Sequence, residues 1–111
     1  MAVIIFHNTA CAAEPFPTRP IRLVVPFVPG GSNDIVGRVI AAQLSERLGK
    51  PVVVDNRGGA GGTIGTEMVV RSQPDGHTLL VISVAHPINP ALYKLPYDSI
   101  KSIAPVVLIG S

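Results

Sequence analysis

Ile21-Arg22-Leu23-Val24-Val25-Pro26-Phe27-Val28-Pro29-Gly30-Gly31-Ser32-Asn33-Asp34 is the stretch that decides the fold. Its first half, Ile21 to Phe27, is almost continuously apolar, the pattern of a strand covered on both faces in a parallel sheet. Pro29-Gly30-Gly31 breaks the strand, and Ser32, Asn33 and Asp34 lead into a helix, with Ser32 or Asn33 as the expected N-cap and Asp34 in the first turn, where negative charge is favoured. A strand that ends in a glycine turn and feeds a helix presents backbone N–H groups that lack partners within the helix. The expectation is an anion pocket at the end of this strand, for carboxylate or phosphate.

Outward from that stretch the same grammar repeats. The helix runs to Leu48, with Val36, Ile40, Leu44 and Leu48 as an apolar stripe flanked by Ile35 and Val39, and Gly49 ends it. Pro51 to Val54 reads as a second strand closed by Asp55-Asn56-Arg57, and Gly58 to Gly62 as a flexible loop. Thr63 starts a second helix to Ser72, with Ile64 and Met68 facing inward. Pro74-Asp75-Gly76 is a tight turn, Thr78 to Ser83 a third strand, and Ala85 to Pro90 a loop holding His86 and Asn89. A short helical turn over Ala91 to Lys94, an irregular stretch to Ala104 and a fourth strand from Val106 to Ile109 complete the pass. Strands alternating with helices predict an α/β fold with a mostly parallel sheet and helices on both faces. Ligands in such sheets bind beyond the carboxyl ends of the strands, so the two glycine loops and the loop after strand three face one cleft.

Composition narrows the function. The chain has 111 residues, 47% hydrophobic and 14% charged, which opposes intrinsic disorder. Nine Lys and Arg against seven Asp and Glu are scattered rather than clustered, so no nucleic-acid footprint is expected. No apolar run approaches the ~18 residues of a membrane span. Cys11 is the single cysteine and has no Cys or His at metal-ligand spacing; no metal, cofactor or catalytic residue is expected. Residues 1 to 13 combine an apolar start, Met1 to Phe6, with a small-residue stretch around Ala10-Cys11-Ala12-Ala13. They read as the remnant of a secretory signal, and residues 14 to 111 as the domain proper.

The usual phosphate signatures fail in detail. From Gly30 the dinucleotide pattern meets Ser32 where glycine is required, and from Gly59 it meets Ile64. Gly49-Lys50 runs into Pro51 and a strand, which is no P-loop. Gly30-Gly31-Ser32-Asn33-Asp34 lacks the second glycine of a nucleophile elbow. His77 and His86 are isolated, with no second histidine at short spacing. What remains is a set of uncharged donors: the amides of Gly31 to Asn33 and Gly62 to Ile64, with the hydroxyls of Ser32, Thr63 and Ser83. A small nucleotide- or phosphate-binding enzyme domain is the alternative reading.

Pro20-Ile21-Arg22-Leu23-Val24-Val25-Pro26-Phe27, Pro29-Gly30-Gly31 with Asp34, Leu48-Gly49-Lys50-Pro51, Asn56-Arg57, Gly59-Ala60-Gly61-Gly62, Pro74-Asp75-Gly76, Asn89-Pro90 and Leu95-Pro96-Tyr97-Asp98 resemble the Bug-type receptors. These are the periplasmic solute-binding proteins of tripartite tricarboxylate transporters. The resemblance covers Phe16 to the end of the chain. It implies part of the first domain of a type II periplasmic-binding-protein-like fold, an exported monomer, a small carboxylate or related metabolite as ligand, membrane transporter subunits as partners, and no enzymatic activity. In the family, backbone and water contacts from first-domain loops hold a ligand carboxylate. That carries onto Phe27, Gly31, Ser32 and Asn33 in the first loop, Gly61, Gly62, Thr63 and Ile64 in the second, and Ser83, Val84, Ala85 and His86 in the third. The chain departs from the pattern at Gly58, where proline is frequent, and in ending within the first domain as a fourth strand forms; the second domain, which largely chooses the ligand, is missing from it.

Overall fold

A computed structural model describes residues 15 to 110; the expected signal remnant and Cys11 lie outside them. Strand β1 (Ile21–Val25) is central in a three-stranded parallel sheet, flanked by β2 (Val52–Asn56) and β3 (Thr78–Leu80). Ile21 stands opposite Val52, and Leu23 stands between Val54 and Leu79. Helices α1 (Ser32–Leu48) and α2 (Thr63–Val70) join the strands in order, and α3 (Ala85–Leu92) follows β3. The central strand holds the core: Ile21, Leu23, Val24 and Val25 are all buried. Leu23 and Val25 cluster with Ala41 of α1 and with Val81. Arg22, one residue out of step, lies on the other face, where its guanidinium meets Met68 of α2. The expected α/β layering, with helices on both faces of a parallel sheet, holds.

The buried side of α1 differs from the expected stripe. Asp34, Gly37 and Ala41 are buried, whereas Ile35 and Val39 are 59% and 55% exposed and Val36 is also exposed. Small residues set this rotation. A β-carbon on Gly37 would sit 2.8 Å from Val25 Cγ2, so the helix comes as close to β1 as a bare backbone allows. Ile40, Leu44 and Leu48 are then half-buried shoulders of the contact. Similarly, the inward residues of α2 are Gly65 and Thr66; Ile64 is exposed and Met68 half-buried.

The start of α1 also departs from expectation. Gly31, not Ser32 or Asn33, occupies the N-cap, and no side chain caps it. Asp34 instead reaches back, as the acidic half of a capping box does, and accepts the Gly30 N–H at 2.9 Å. Asn56 at the end of β2 donates to Asp34 at 2.9 Å and to the Phe27 carbonyl at 3.2 Å. The Arg38 guanidinium, one turn along, donates to both Asp34 oxygens at 3.1 Å. One buried carboxylate therefore ties the first glycine loop to α1 and β2. The Gly30 N–H, then Asn56, then Arg38 hold its pKa down at about 2.

Other boundaries move for identifiable reasons. Pro26 ends β1 two residues earlier than expected, because proline has no N–H to give a ladder. β2 gains Asp55 and Asn56, α2 stops at Val70, and β3 keeps three residues. Ala85 to Leu92 is a helix rather than a loop. Pro87 falls in its first turn, where an N–H has no intrahelical role, and Pro90 costs one bond late in a short helix. Val106 to Ile109 forms no strand and is exposed; no strand lies beside it among the described residues. His77, isolated in the sequence, is buried. Its Nε2 accepts the Thr18 N–H at 3.1 Å, which places the proton on Nδ1, and its ring meets Phe16 edge-on at 4.8 Å. With the Arg19–Asp75 pair at 2.7 Å, it seats the lead-in segment on the turn before β3.

Two outcomes test this packing. Gly37→Leu forces a side chain into Val25 and is expected to lower stability by roughly 1–3 kcal/mol in urea unfolding. Asp34 has a depressed folded pKa. As pH falls from about 4, where unfolded Asp titrates, toward the folded value, the unfolded chain binds more protons and stability falls. Stability above pH 4 should be flat with respect to this group, and Asp34→Asn should shrink the acid-side decline in a pH series of melting temperatures.

Candidate functional site

Beyond the carboxyl ends of the strands, three segments meet around a small crevice of about 10 Å³ that opens to solvent. Pro26 and Phe27 come from the end of β1, Gly61, Gly62 and Thr66 from the second glycine loop and α2, and Ile82, Ser83, His86 and Asn89 from the segment after β3. The meeting of these three loops at one edge is what the alternating topology predicts.

The glycine loop is fixed from three sides. Gly61 and Gly62 adopt φ of +65° and +92°, a region that favours glycine. A β-carbon on Gly62 would lie 3.2 Å from the Phe27 ring, and one on Gly61 would lie 3.2 Å from Asn89 Oδ1. Asn89, 4% exposed, donates from Nδ2 to the Gly61 carbonyl at 3.0 Å. The buried Thr66 hydroxyl donates to the Gly62 carbonyl at 2.8 Å. Gly65 lets α2 settle on the strand end, since a β-carbon there would be 2.7 Å from the Arg57 carbonyl and 2.9 Å from Pro26.

This geometry uses up several expected donors. The Gly62 N–H donates to the Gly59 carbonyl at 3.0 Å. Both the backbone N–H and the hydroxyl of Thr63 turn to the Ala60 carbonyl, the hydroxyl at 2.9 Å. At α1 the chain's own Asp34 carboxylate accepts the Gly30 N–H, one residue before the expected Gly31 to Asn33 donors. Ser83 Oγ accepts the Ala85 N–H at 3.3 Å, which leaves its proton to donate. His86 donates from Nε2 to the Ser99 carbonyl at 2.7 Å, because a carbonyl can only accept. The third loop is thus strapped to the segment beyond α3.

Of the residues expected at the site, Phe27, Gly61, Gly62, Ser83 and His86 line the crevice. Gly31, Ser32, Asn33, Thr63, Ile64, Val84 and Ala85 stand outside its lining, and Ile64 and Val84 are exposed. Thr66 was not anticipated there, and Asn89 was expected only as part of the loop facing the cleft, without a contact of its own. A helical reading of Ala85 to Leu92 would have found Asn89, since it lies three residues after His86 and shares its face. No Lys, Arg, Asp or Glu lines the crevice, and no group of three His, Cys, Asp or Glu comes together among the described residues. The chemistry available is neutral hydrogen bonding around a small polar ligand group.

Residues 36 to 111 match the family described as tripartite tricarboxylate transporter family receptor. Protein BugT of Bordetella pertussis is 45% identical over 119 aligned positions, covering 99% of this chain and 36% of the relative. A solved structure described as a periplasmic transporter superposes with a TM-score of 0.74 at 48% identity, over 78% of this chain and 30% of that one. Two Rhodopseudomonas palustris structures carry ligands in their descriptions. One, with adipate, has a TM-score of 0.60 at 44% identity over 61% of this chain and 23% of that one. The other, MatC with bound malate, has a TM-score of 0.56 at 46% identity over 59% and 22%. The chain spans about a third of the length of the curated relatives it matches. By this match the chain belongs to the receptor family of tripartite tricarboxylate transporters.

Proposed function

We propose that this chain forms one wall of a periplasmic solute-binding cleft, and that its crevice seats one carboxylate of a small dicarboxylate for delivery to membrane transporter subunits. The observation that carries the reading is the convergence of Phe27, Gly61, Gly62, Ser83 and His86 at one sheet edge. The adipate and malate named for two relatives share a small chain ending in carboxylates, which fits a shallow seat for one end. The seat relies on neutral donors, so it suits a carboxylate held partly through water. Selection of the ligand's other end falls to whatever faces the crevice. The nucleotide alternative fares worse: phosphate recognition by a glycine loop needs several free amides pointing inward, and those of Gly62 and Thr63 are bonded within the loop.

Amide NMR titration of the 111-residue chain tests the reading. Adipate or malate should shift resonances of Phe27, Gly61, Gly62, Ser83, His86 and Asn89, with a dissociation constant roughly in the millimolar range because one wall acts alone. Shifts elsewhere, or a response to ATP and ADP but not to dicarboxylates, would overturn it. Asn89→Ala removes the bond to the Gly61 carbonyl. It is expected to cost roughly 1–3 kcal/mol of stability and to weaken the dicarboxylate response at Gly61 and Gly62 more than at Ser83.

A further inference from the structure

His86 is the one residue lining the crevice whose side chain changes charge near neutral pH; the rest of the lining carries no ionisable group. The crevice has room for about one oxygen-sized group, so whatever it seats touches several walls at once. The His86 ring is held from one side only. Its Nε2–H donates to the Ser99 carbonyl at 2.7 Å, and its backbone N–H donates to the Ser83 carbonyl at 3.0 Å. Nδ1 takes part in no hydrogen bond among the described residues.

A proton added at Nδ1 therefore breaks nothing, because the imidazolium still donates from Nε2 to Ser99. His77 is the opposite case: its Nε2 accepts the Thr18 N–H at 3.1 Å, and a proton there would displace that bond. The charged groups around the crevice are engaged elsewhere. Helix α3 carries none. Asp98, beside Ser99, accepts the N–H groups of Ile100 and Lys101 at 2.9 and 2.8 Å. Glu67, beside Thr66, pairs with Arg71 at 2.8 Å. Arg57, past the end of β2, pairs with Asp55 at 2.9 Å, and Asp34, behind the first glycine loop, pairs with Arg38 at 3.1 Å. Lys94 and Lys101 are exposed. Tyrosine phenols, here Tyr93 and Tyr97, ordinarily ionise only near pH ~10.

We propose that His86 couples carboxylate binding to proton uptake: the crevice holds an anionic carboxylate more tightly against the His86 imidazolium than against the neutral ring, and the bound carboxylate keeps a proton on His86 in return. The imidazolium is then the single cationic partner in an otherwise neutral seat. The direction follows from linkage. Affinity rises as pH falls through the range in which imidazoles take a proton, and a bound anion moves the His86 titration to higher pH by the same factor. A unit charge ~4 Å from a carboxylate in a crevice open to water changes affinity by a factor of roughly 3–10. The inference rests on the carboxylate reading of the crevice and adds the proton to it.

NMR titration of the 111-residue chain with malate, repeated between about pH 6.5 and about pH 8.5, tests the coupling apart from the seat; both malate carboxyls stay ionised through this window. The dissociation constant read from the Gly61 and Gly62 amides should be roughly two- to fivefold lower at the acid end. At saturating malate the His86 ring resonances should titrate roughly 0.5–1 pH unit higher than without it, while those of His77 stay where they were. His86→Gln keeps an N–H for the Ser99 carbonyl but cannot take a charge, and it should abolish the pH dependence. A crevice response with equal affinity at both ends of the window and an unmoved His86 titration would overturn the coupling and leave the carboxylate seat standing. A pH dependence that persists in His86→Gln would overturn it as well, and no response to malate at the crevice would overturn both.

Discussion

The central strand β1 is gripped from both faces at distances that exclude a side chain. On one face Gly37 brings α1 against Val25, and past the strand end Gly65 brings α2 against Pro26. Each approach lies within 3 Å of where a β-carbon would stand, so the helices are held by backbone proximity as much as by apolar area. This constraint sets the rotation of α1 and places the N-terminal end of α2 directly over the end of β1. The crevice is the space left between that helix end, the strand end and the segment after β3.

Polar groups then lock what the glycines allow. Asp34 joins Gly30, Arg38 and Asn56, and Asn56 extends the network to the Phe27 carbonyl. Asn89 and Thr66 hold the carbonyls of Gly61 and Gly62. Loops with this much glycine would carry a large entropic cost if left free. Each is instead tied by a buried side chain that leaves few of its own groups unpaired. The consequence is a crevice of neutral groups beside which the Gly62 and Thr63 amides are bonded within their own loop.

Much of this was legible in the residues. The continuous apolar run of β1, the glycine breaks, Gly49 in the left-handed conformation at the end of α1 and the strand–helix alternation all rest on local rules, and they held. So did the prediction that three loops share one edge, which follows from parallel topology alone. The site was legible in part. Phe27, Gly61, Gly62, Ser83 and His86 line the crevice, while Thr66 and the bond from Asn89 to Gly61 escaped because each residue reads locally as an ordinary helix or loop polar residue.

The sequence by itself determined the order of elements, the parallel sheet, the location of the glycine loops and the receptor-family resemblance, because these depend on neighbours within a few turns of chain. The tertiary structure alone decided which face of α1 turns inward, since Gly37 against Val25 outweighs the larger apolar stripe. It also decided that Asp34 turns back onto the Gly30 N–H. It made Ala85 to Leu92 a helix whose Asn89 reaches Gly61. Those outcomes rest on contacts between residues distant in sequence, or on which of several local hydrogen-bond options the packed chain adopts, and no periodicity records them.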